Sequence, residues 1–312
     1  MKKKIVITGG SGFIGKALCR DLIEHGYDII VLSRNPTRLK PVVDRNILVA
    51  PWDGKTTRGW LHHASGAHAL VNLAGENIAS SLRWTEKKKE RLLSSRLAAG
   101  MAVAEAVDLA EEKPRVVIQA SAIGYYGSRD DTVLEESSPP GRGFLAQTAQ
   151  QWEAATRQTA SRGVRHAVVR TGIVLGRGRG FLSRVTVPFR FFLGGHPGSG
   201  RQWVSWIHID DEAAAIRYLI DHDGLSGPFN LTAPHPLTAR EFFRTLGRVM
   251  NRPSWCHVPA WVLRVALGEL AEELLLSGQR VLPGRLLASG FQFRYPDALG
   301  ALEETSGSKN RP

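Results

Sequence analysis

Ile5-Val6-Ile7-Thr8-Gly9-Gly10-Ser11-Gly12-Phe13-Ile14-Gly15 is the stretch on which the reading of this chain turns. An apolar, β-branched run enters glycines spaced three apart, and a helical pattern leaves them. The expected local structure is a strand, a tight turn and a helix N-terminus. Glycine lets the backbone turn sharply and approach a ligand, and the helix start offers unpaired N–H groups and partial positive charge. Such a turn suits a pyrophosphate. Phe13, Ile14, Ala17, Leu18, Leu22 and Ile23 fall near helical spacing, Gly26 stops the helix, and Asp28–Ser33 reads as a second strand. The unit has the size with which a dinucleotide-binding fold begins.

The end of the second strand bears on the choice of dinucleotide. An acidic residue there binds a ribose 2′-OH, whereas a basic one accommodates a 2′-phosphate. This chain has Ser33-Arg34, with Arg38 and Lys40 close behind, and no Asp or Glu between Asp28 and Asp44. A guanidinium grips a phosphate bidentately, and a carboxylate would repel it. NADP(H) is therefore expected rather than NAD.

Composition narrows the remaining classes. The 312 residues carry a net charge of +12, but the basic residues are scattered. The densest group, Arg83–Arg91, is interleaved with Glu86 and Glu90 and suits a solvated helix face, so no nucleic-acid partner is expected. Cys19 and Cys256 lack metal-ligand spacing, and no metal site is expected. Lys2–Lys4 precede an apolar run too short for a signal peptide, and no run approaches a membrane span of about 18 residues. These features imply a cytoplasmic protein with no membrane partner.

Further strands are expected at Asn46–Ala50, Ala69–Leu73, Arg115–Ala120 and His166–Arg170, with helices at Glu86–Ala110 and Ala146–Ser161. The alternation predicts an α/β fold with a doubly wound parallel sheet. Beyond Arg170 the chain is rich in Gly and Pro. A helix is expected near Phe181–Leu193, a strand at Trp203–Ile209, and a helix capped by Asp210-Asp211 running to about Asp221. Thr238-x-x-Glu241 has the form of a capping box, and Pro259–Leu276 is helical in pattern. The expected division is a dinucleotide-binding Rossmann domain of residues 1–176 plus 205–223, and a smaller C-terminal α/β substrate lobe of 177–204 plus 224–304. Residues 305–312 read as a flexible tail.

The longer motifs resemble the extended short-chain dehydrogenase/reductase superfamily. Thr8–Gly15 resembles its N-terminal fingerprint, and Asn72-Leu73-Ala74-Gly75 its N-x-A-G segment. Ser121 with Tyr126-Gly127 resembles its serine region, and Trp206–Asp211 its late strand–helix junction. Asn72–Ile78, Arg83-Trp84 with Ser95-Arg96, Ser121–Gly127, Trp152-Glu153, Arg170–Gly176, Gly278–Pro283 and Gly290–Pro296 are similar to one subgroup. That subgroup is NAD-dependent epimerase/dehydratase-like, of unassigned substrate, with a C-terminal DUF1731-type domain. The resemblance implies that Gly9, Ser11, Gly12, Phe13, Ile14 and Gly15 wrap the pyrophosphate and that Ser33 and Arg34 hold the 2′-phosphate. It implies that Leu73, Ala74 and Gly75 line the path to the nicotinamide, that Arg96 reaches cofactor or substrate, and that Thr171, Gly172, Ile173 and Val174 lie beside the nicotinamide. A small-molecule substrate is implied, and a homodimer is compatible with it.

One family feature is missing. The superfamily's Tyr-x-x-x-Lys pair places both side chains on one helix face, where the lysine stabilises tyrosinate. None of Tyr27, Tyr125, Tyr126, Tyr218 or Tyr295 has a lysine four residues on. Aligning on Trp152-Glu153 puts Leu145 and Ala149 in the two places. Hydride transfer at a carbonyl carbon still needs a proton partner at oxygen. Ser121, Tyr125 and Tyr126 are the candidates, with Glu76 as a further carboxyl. For each the structural reading stands beside the catalytic one: a strand-end cap, a packed ring, a turn hydrogen bond. His208 reads as a hydrogen-bonded structural histidine, and Trp152 and Trp206 as packing residues. Two functions follow: an NADP-dependent oxidoreductase or epimerase-like enzyme with an unusual proton donor, or a non-catalytic NADP-binding sensor or scaffold, conceivably in cell division.

Overall fold

The computed structural model describes residues 3–39 and 47–306. Seven strands form one parallel sheet: β1 (Lys4–Thr8), β2 (Asp28–Ser33), β3 (Ile47–Pro51), β4 (Ala69–Asn72), β5 (Val116–Ala122), β6 (Arg165–Thr171) and β7 (Gly227–Leu231). Their order is β7-β6-β5-β4-β1-β2-β3. The chain winds outward in both directions from β1 and β4. Between those two strands lies the switch point, where open α/β sheets bind ligands at their carboxyl ends. The longer helices are α1 (Phe13–Glu24), α2 (Glu86–Leu109), α3 (Phe144–Ala154), α4 (Leu182–Arg190), α5 (Ile209–Asp221), α6 (Ala239–Val249) and α7 (Ala298–Ser306).

The period-2 alternation of the strands divides the apolar side chains between two layers. Ile5, Ile7, Ile29, Val31 and Ile118 pack with Leu18 and Leu22 of α1 and Ile216 and Leu219 of α5. Val6, Ile30, Leu32, Leu70 and Val117 face the other way, onto Ala99, Val103 and Val107 of α2 and onto Trp60. A third core lies in the second lobe. There Leu175, Val204 and Trp206 pack with Leu182 and Phe189 of α4, Phe242 and Leu246 of α6, and Leu302 of α7. The capping box that opens α6 is formed: Glu241 N donates to Thr238 Oγ1, and Thr238 N donates to Glu241 Oε2 at 2.9 Å.

Several expectations are corrected. β7 falls in a stretch assigned to the second lobe, yet it pairs with β6 and completes the main sheet. Its Gly227-Pro228 start after the loop 222–226 gave no strand signal. The expected strand Trp203–Ile209 is two short strands, Trp203–Val204 and Trp206–His208, interrupted at Ser205. The Ser205 carbonyl accepts from Ile173 N at 2.9 Å, and its hydroxyl is held by Gln279 O and Val281 N. The cap of α5 is His208 rather than Asp210: its Nδ1 accepts from Asp210 N at 3.2 Å, because the strand ends one residue earlier than expected. Asp211 instead accepts from Arg294 N and Tyr295 N. The helix predicted over Ala146–Ser161 ends at Ala154 and is followed by a 3-10 segment, Arg157–Arg162. Thr305 and Ser306, the first residues of the expected tail, belong to α7, and Thr305 is buried. Residues 307–312, Asn46, Lys40 and the side chain of Arg38 lie outside the described residues.

Candidate functional site

The turn after β1 is built from glycines with distinct jobs. Gly9 has φ +70°, and a Cβ there would lie 2.7 Å from the backbone of Leu73. A Cβ on Gly15 would overlap the Gly9 carbonyl oxygen and sit 2.6 Å from Gly10 Cα. Both positions let backbone segments touch. Gly12 differs, because Gly9 O at 3.1 Å is the sole atom near a Cβ placed on it. Its missing side chain leaves space in front of α1. Gly12 caps α1 without a side-chain hydrogen bond, and the first turn carries no acidic residue. Ser11 and Gly12 are exposed. The positive end of α1 is thus presented, unneutralised, to that space.

A polar chain fixes the neighbouring strand end. Thr8 Oγ1 donates to Asn72 Oδ1 at 2.7 Å and accepts from Ala74 N at 3.2 Å, while Asn72 Nδ2 donates to Gln119 Oε1 at 2.9 Å. Leu73, Ala74 and Gly75 are thereby held against the glycine turn. On the other side, Ser33 ends β2, and its Oγ accepts from Asn35 N at 3.1 Å. Arg34 follows, exposed, with its Cδ 3.5 Å from where a Gly54 Cβ would sit. The adjacent Asp53 is turned inward on its own loop by the N–H groups of Thr56 and Lys55, which hold its carboxyl below the usual range. The cradle, Arg34 and the Leu73–Gly75 segment therefore share the carboxyl edge of the sheet.

Beyond β4 and β5 this edge opens into a cavity of about 510 Å³ between sheet and second lobe. Arg96, Ala122, Ile123, Thr171, Gly172 and Ile173 form its sheet side, and Phe181, Trp203 and Phe243 stand on the lobe side. Leu145 and Ala149 both line it. The helix face that would carry tyrosine and lysine is present, but it is apolar. Arg96 bridges cradle and cavity. Its Nη1 donates to the carbonyls of Glu76 and Leu92, its guanidinium lies 4.8 Å from the Trp152 ring centroid, and Gly75 packs against it. Burial lowers its pKa to about 10, which leaves it cationic near neutrality. Trp152 also lines the cavity, with Nε1 buried and lacking a hydrogen-bond partner.

Ser121, Tyr125 and Tyr126 come together, but in a buried ionic network behind the cavity wall. Ser121 Oγ donates to Glu153 Oε1 at 2.7 Å. Arg170 binds Glu153 bidentately, Nε to Oε1 at 2.8 Å and Nη2 to Oε2 at 3.0 Å. Its Nη1 donates to the Tyr126 hydroxyl at 3.0 Å, and that hydroxyl donates to Asn230 Oδ1 at 2.7 Å. Tyr126 is 0% exposed, and burial raises its pKa despite the nearby guanidinium. The Tyr125 ring centroid lies 3.5 Å from Arg170 Cζ. Arg129 spends its guanidinium on the carbonyls of Tyr126 and Pro140 rather than on Tyr125. Tyr126→Phe is expected to cost about 1–2 kcal/mol, measured by chemical denaturation, because it leaves Asn230 Oδ1 without its donor.

The other expectations resolve individually. Glu76 is paired with Lys88 Nζ at 2.6 Å, and that hydrogen bond lowers its pKa, so it is held ionised. His208 is buried and bonded on both ring nitrogens, to Glu304 Oε2 and Asp210 N. Trp206 is buried and donates to His235 O. Four residues of the site were not anticipated: Arg170, Asn230, Glu212, and Glu136, whose carbonyl accepts from Arg170 Nη1 at 3.2 Å and whose carboxylate accepts from Asn230 N at 3.0 Å. Arg170 stood in a quoted motif without a charge partner. Glu212, in the first turn of α5, looked like any dipole-compensating acid, yet it is 0% exposed and accepts from Thr171 Oγ1 at 2.7 Å. Among the described residues no cluster of His, Cys, Asp or Glu could hold a metal ion, and no helix is long and apolar enough to cross a membrane.

A glycine-turned helix start at the switch point of a seven-stranded parallel sheet, facing a cavity under a second lobe, defines an extended dinucleotide-type α/β fold. The chain belongs to the NAD dependent epimerase/dehydratase family, whose model matches residues 5–231, and a domain of unknown function, DUF1731, matches residues 258–305. It is 40% identical over 303 residues to epimerase family protein YfhF of Bacillus subtilis, covering 96% of this chain and 97% of the relative. It is 37% identical over 306 residues to the chloroplastic SDR39U1 homolog of Arabidopsis thaliana, covering 96% and 86%. Among solved structures, human epimerase family protein SDR39U1 (isoform 2) with NADPH superposes with a TM-score of 0.87 at 32% identity, covering 97% of this chain and 99% of the human one.

Proposed function

We propose that this protein binds NADP(H) and acts as an oxidoreductase or epimerase-like enzyme on a small carbonyl or nucleotide-sugar-like molecule. The observation that carries the reading is the open, unneutralised start of α1 in front of Gly12, with Arg34 exposed at the end of the next strand. The glycine cradle fits a pyrophosphate, and the cation beyond β2 fits a 2′-phosphate. The human relative solved with NADPH supports the same choice. In this reading Gly9 and Ser11 to Gly15 hold the pyrophosphate, and Ser33 and Arg34 hold the 2′-phosphate. Leu73, Ala74, Gly75 and Arg96 line the path across the switch point, and Thr171 to Val174 flank the nicotinamide. The bound dinucleotide supplies the hydride donor or acceptor. The chain positions a substrate in the adjoining cavity, keeps it among apolar walls, and supplies charge through Arg96. Ser121, Tyr125 and Tyr126 are the proton-transfer candidates, lying behind the part of the cavity wall formed by Ala122 and Ile123.

Arg34→Ala is expected to weaken NADPH binding about tenfold to thirtyfold while leaving NADH unchanged, the worth of one charge-assisted phosphate contact. Fluorescence titration of both dinucleotides checks it; equal losses would mean that Arg34 does not read the 2′-phosphate. The apolar Leu145/Ala149 face favours a second reading, a non-catalytic NADP(H)-binding sensor or scaffold. A hydride-transfer screen over carbonyls and nucleotide sugars separates the two. Turnover that is lost in Ser121→Ala or Tyr125→Phe supports the enzyme, and tight NADPH binding with no turnover supports the sensor.

A further inference from the structure

Among the described residues near the cradle, Glu212 is the buried carboxyl group that no charge accompanies. Its Oε1 accepts from Thr171 Oγ1 at 2.7 Å, and its Oε2 is buried with no hydrogen-bond partner. It stands where three elements meet. Thr171 ends β6 and lines the cavity. Ile209 begins α5 and, with the Phe13 ring that begins α1, closes on Gly176, where a Cβ would lie 2.6 Å from Phe13 Cζ and 3.0 Å from Ile209 Cγ2. Glu212 lies one turn further along α5. Charged neighbours are engaged elsewhere: Arg170 faces Glu153 on the opposite layer, Asp211 accepts from Arg294 and Tyr295, and His208 is bonded on both nitrogens. Burial first, opposed by the Thr171 hydroxyl, is all that acts on the Glu212 carboxyl, and no charged group of α1, β6 or α5 contributes.

We propose that Glu212 is a proton site coupled to the oxidation state of the dinucleotide: a neutral carboxylic acid when NADPH is bound and a carboxylate when NADP⁺ is bound. The proposal rests on the reading above, in which Thr171 to Val174 flank the nicotinamide. The dinucleotide spans the switch point with its 2′-phosphate at β2, so its other end must run over β4, β5 and β6, toward Thr171. The oxidised nicotinamide ring is cationic and the reduced ring is neutral. An uncompensated carboxyl in a dry site responds strongly to that one charge. Burial already pushes the Glu212 carboxyl up to about 8, so a nearby cation would draw its titration through neutrality. Exchange of NADPH for NADP⁺ then releases one proton from the carboxyl O–H to solvent; no other bond changes and no electron moves in the exchange. By linkage, raising the pH favours NADP⁺ over NADPH.

The test is the ratio of the two dissociation constants, Kd(NADP⁺)/Kd(NADPH), measured from pH 6.5 to 8.5. The 2′-phosphate also titrates, near pH ~6 for a phosphate monoester, but it is common to both ligands and cancels in the ratio. The wild-type ratio is expected to fall by at least about fivefold across this range, against a ceiling of about tenfold per pH unit for one proton. Glu212→Gln, isosteric and uncharged, should hold the ratio constant within about twofold. Calorimetric titration in two buffers of different ionisation enthalpy gives an independent reading on the wild-type protein: binding NADPH should take up more protons than binding NADP⁺. Tight binding of both ligands with a flat ratio and equal proton uptake would overturn the proposal alone. Failure of either dinucleotide to bind would overturn the cofactor reading and this proposal with it. A pH-dependent ratio that survives unchanged in a folded Glu212→Gln would move the proton site elsewhere and also overturn it.

Discussion

Arg170→Met should lower the stability of the folded chain by about 3–5 kcal/mol, the largest loss expected from any single substitution considered for this protein. The reason is what it leaves behind. Glu153 is 8% exposed and receives both of its strong bonds from Arg170, with Ser121 supplying one more. Remove the guanidinium, and a carboxylate stays buried with a single hydroxyl for company. Tyr126 loses a donor at its hydroxyl, and the Glu136 carbonyl loses another. Burial opposes the charge on Arg170, but the bonds and attraction of Glu153 outweigh it and raise the guanidinium above its usual pKa, so Arg170 is held cationic. For a chain of this length the loss corresponds to a fall in Tm of roughly 5–8 °C. The double variant Arg170→Met/Glu153→Leu should recover much of it, because the orphaned charge disappears with its partner. Thermal denaturation of the two variants decides the matter. A single variant within about 1 kcal/mol of wild type would mean that water or rearrangement satisfies Glu153.

Gly12→Ala should do the opposite: leave the fold nearly unchanged and abolish dinucleotide binding. A methyl group at Gly12 meets the Gly9 carbonyl oxygen at 3.1 Å and nothing else within 4 Å, and the Gly12 φ of −70° suits any residue. The methyl would project into the space before α1, where the proposed function brings the pyrophosphate close to the helix N–H groups. A loss of at least about a hundredfold in NADPH affinity is expected, about 2.7 kcal/mol or more. The shift in Tm of the free protein should stay within a few degrees. Gly9→Ala and Gly15→Ala are the contrast, because there the methyl collides with protein backbone and the fold itself suffers. If Gly12→Ala bound NADPH normally, the cradle would not be the pyrophosphate site.

The cradle was legible because every part of it is local. Gly9, Gly12 and Gly15 lie within one strand–turn–helix, and Arg34 follows at the end of the next strand. The two layers of the sheet were legible for the same reason, since alternation along each strand assigns a side to every residue. The ionic network was not. Arg170 meets Glu153 across 17 residues and Tyr126 across 44, and Tyr126 meets Asn230 across 104. Pairs so separated leave no periodicity to read. Ser121 and Tyr126 were singled out for their chemistry, and what the structure adds is the company they keep. β7 escaped because its flanks read as loop, and only pairing with β6 makes that segment a strand. Glu212 escaped because burial is a tertiary fact: the same residue type in the same helix turn is ordinarily solvated.

The anchoring of Glu136 bears on the order in which the chain is completed. Its carboxylate accepts from Asn230 N and from Arg285 N, and Asn230 Nδ2 donates to Leu282 O. Ser205 is tied in the same way to Gln279 and Val281. The Ser205 hydroxyl therefore has no partners, and the Glu136 carboxylate and Asn230 amide lack part of theirs, until residues 279–285 are in place. Closure of this part of the core waits on residues 279–285, since unpaired buried polar groups disfavour it. Residues 279–285 thus fasten the Ser205 junction and β7 together, and a product ending before them should lack that fastening.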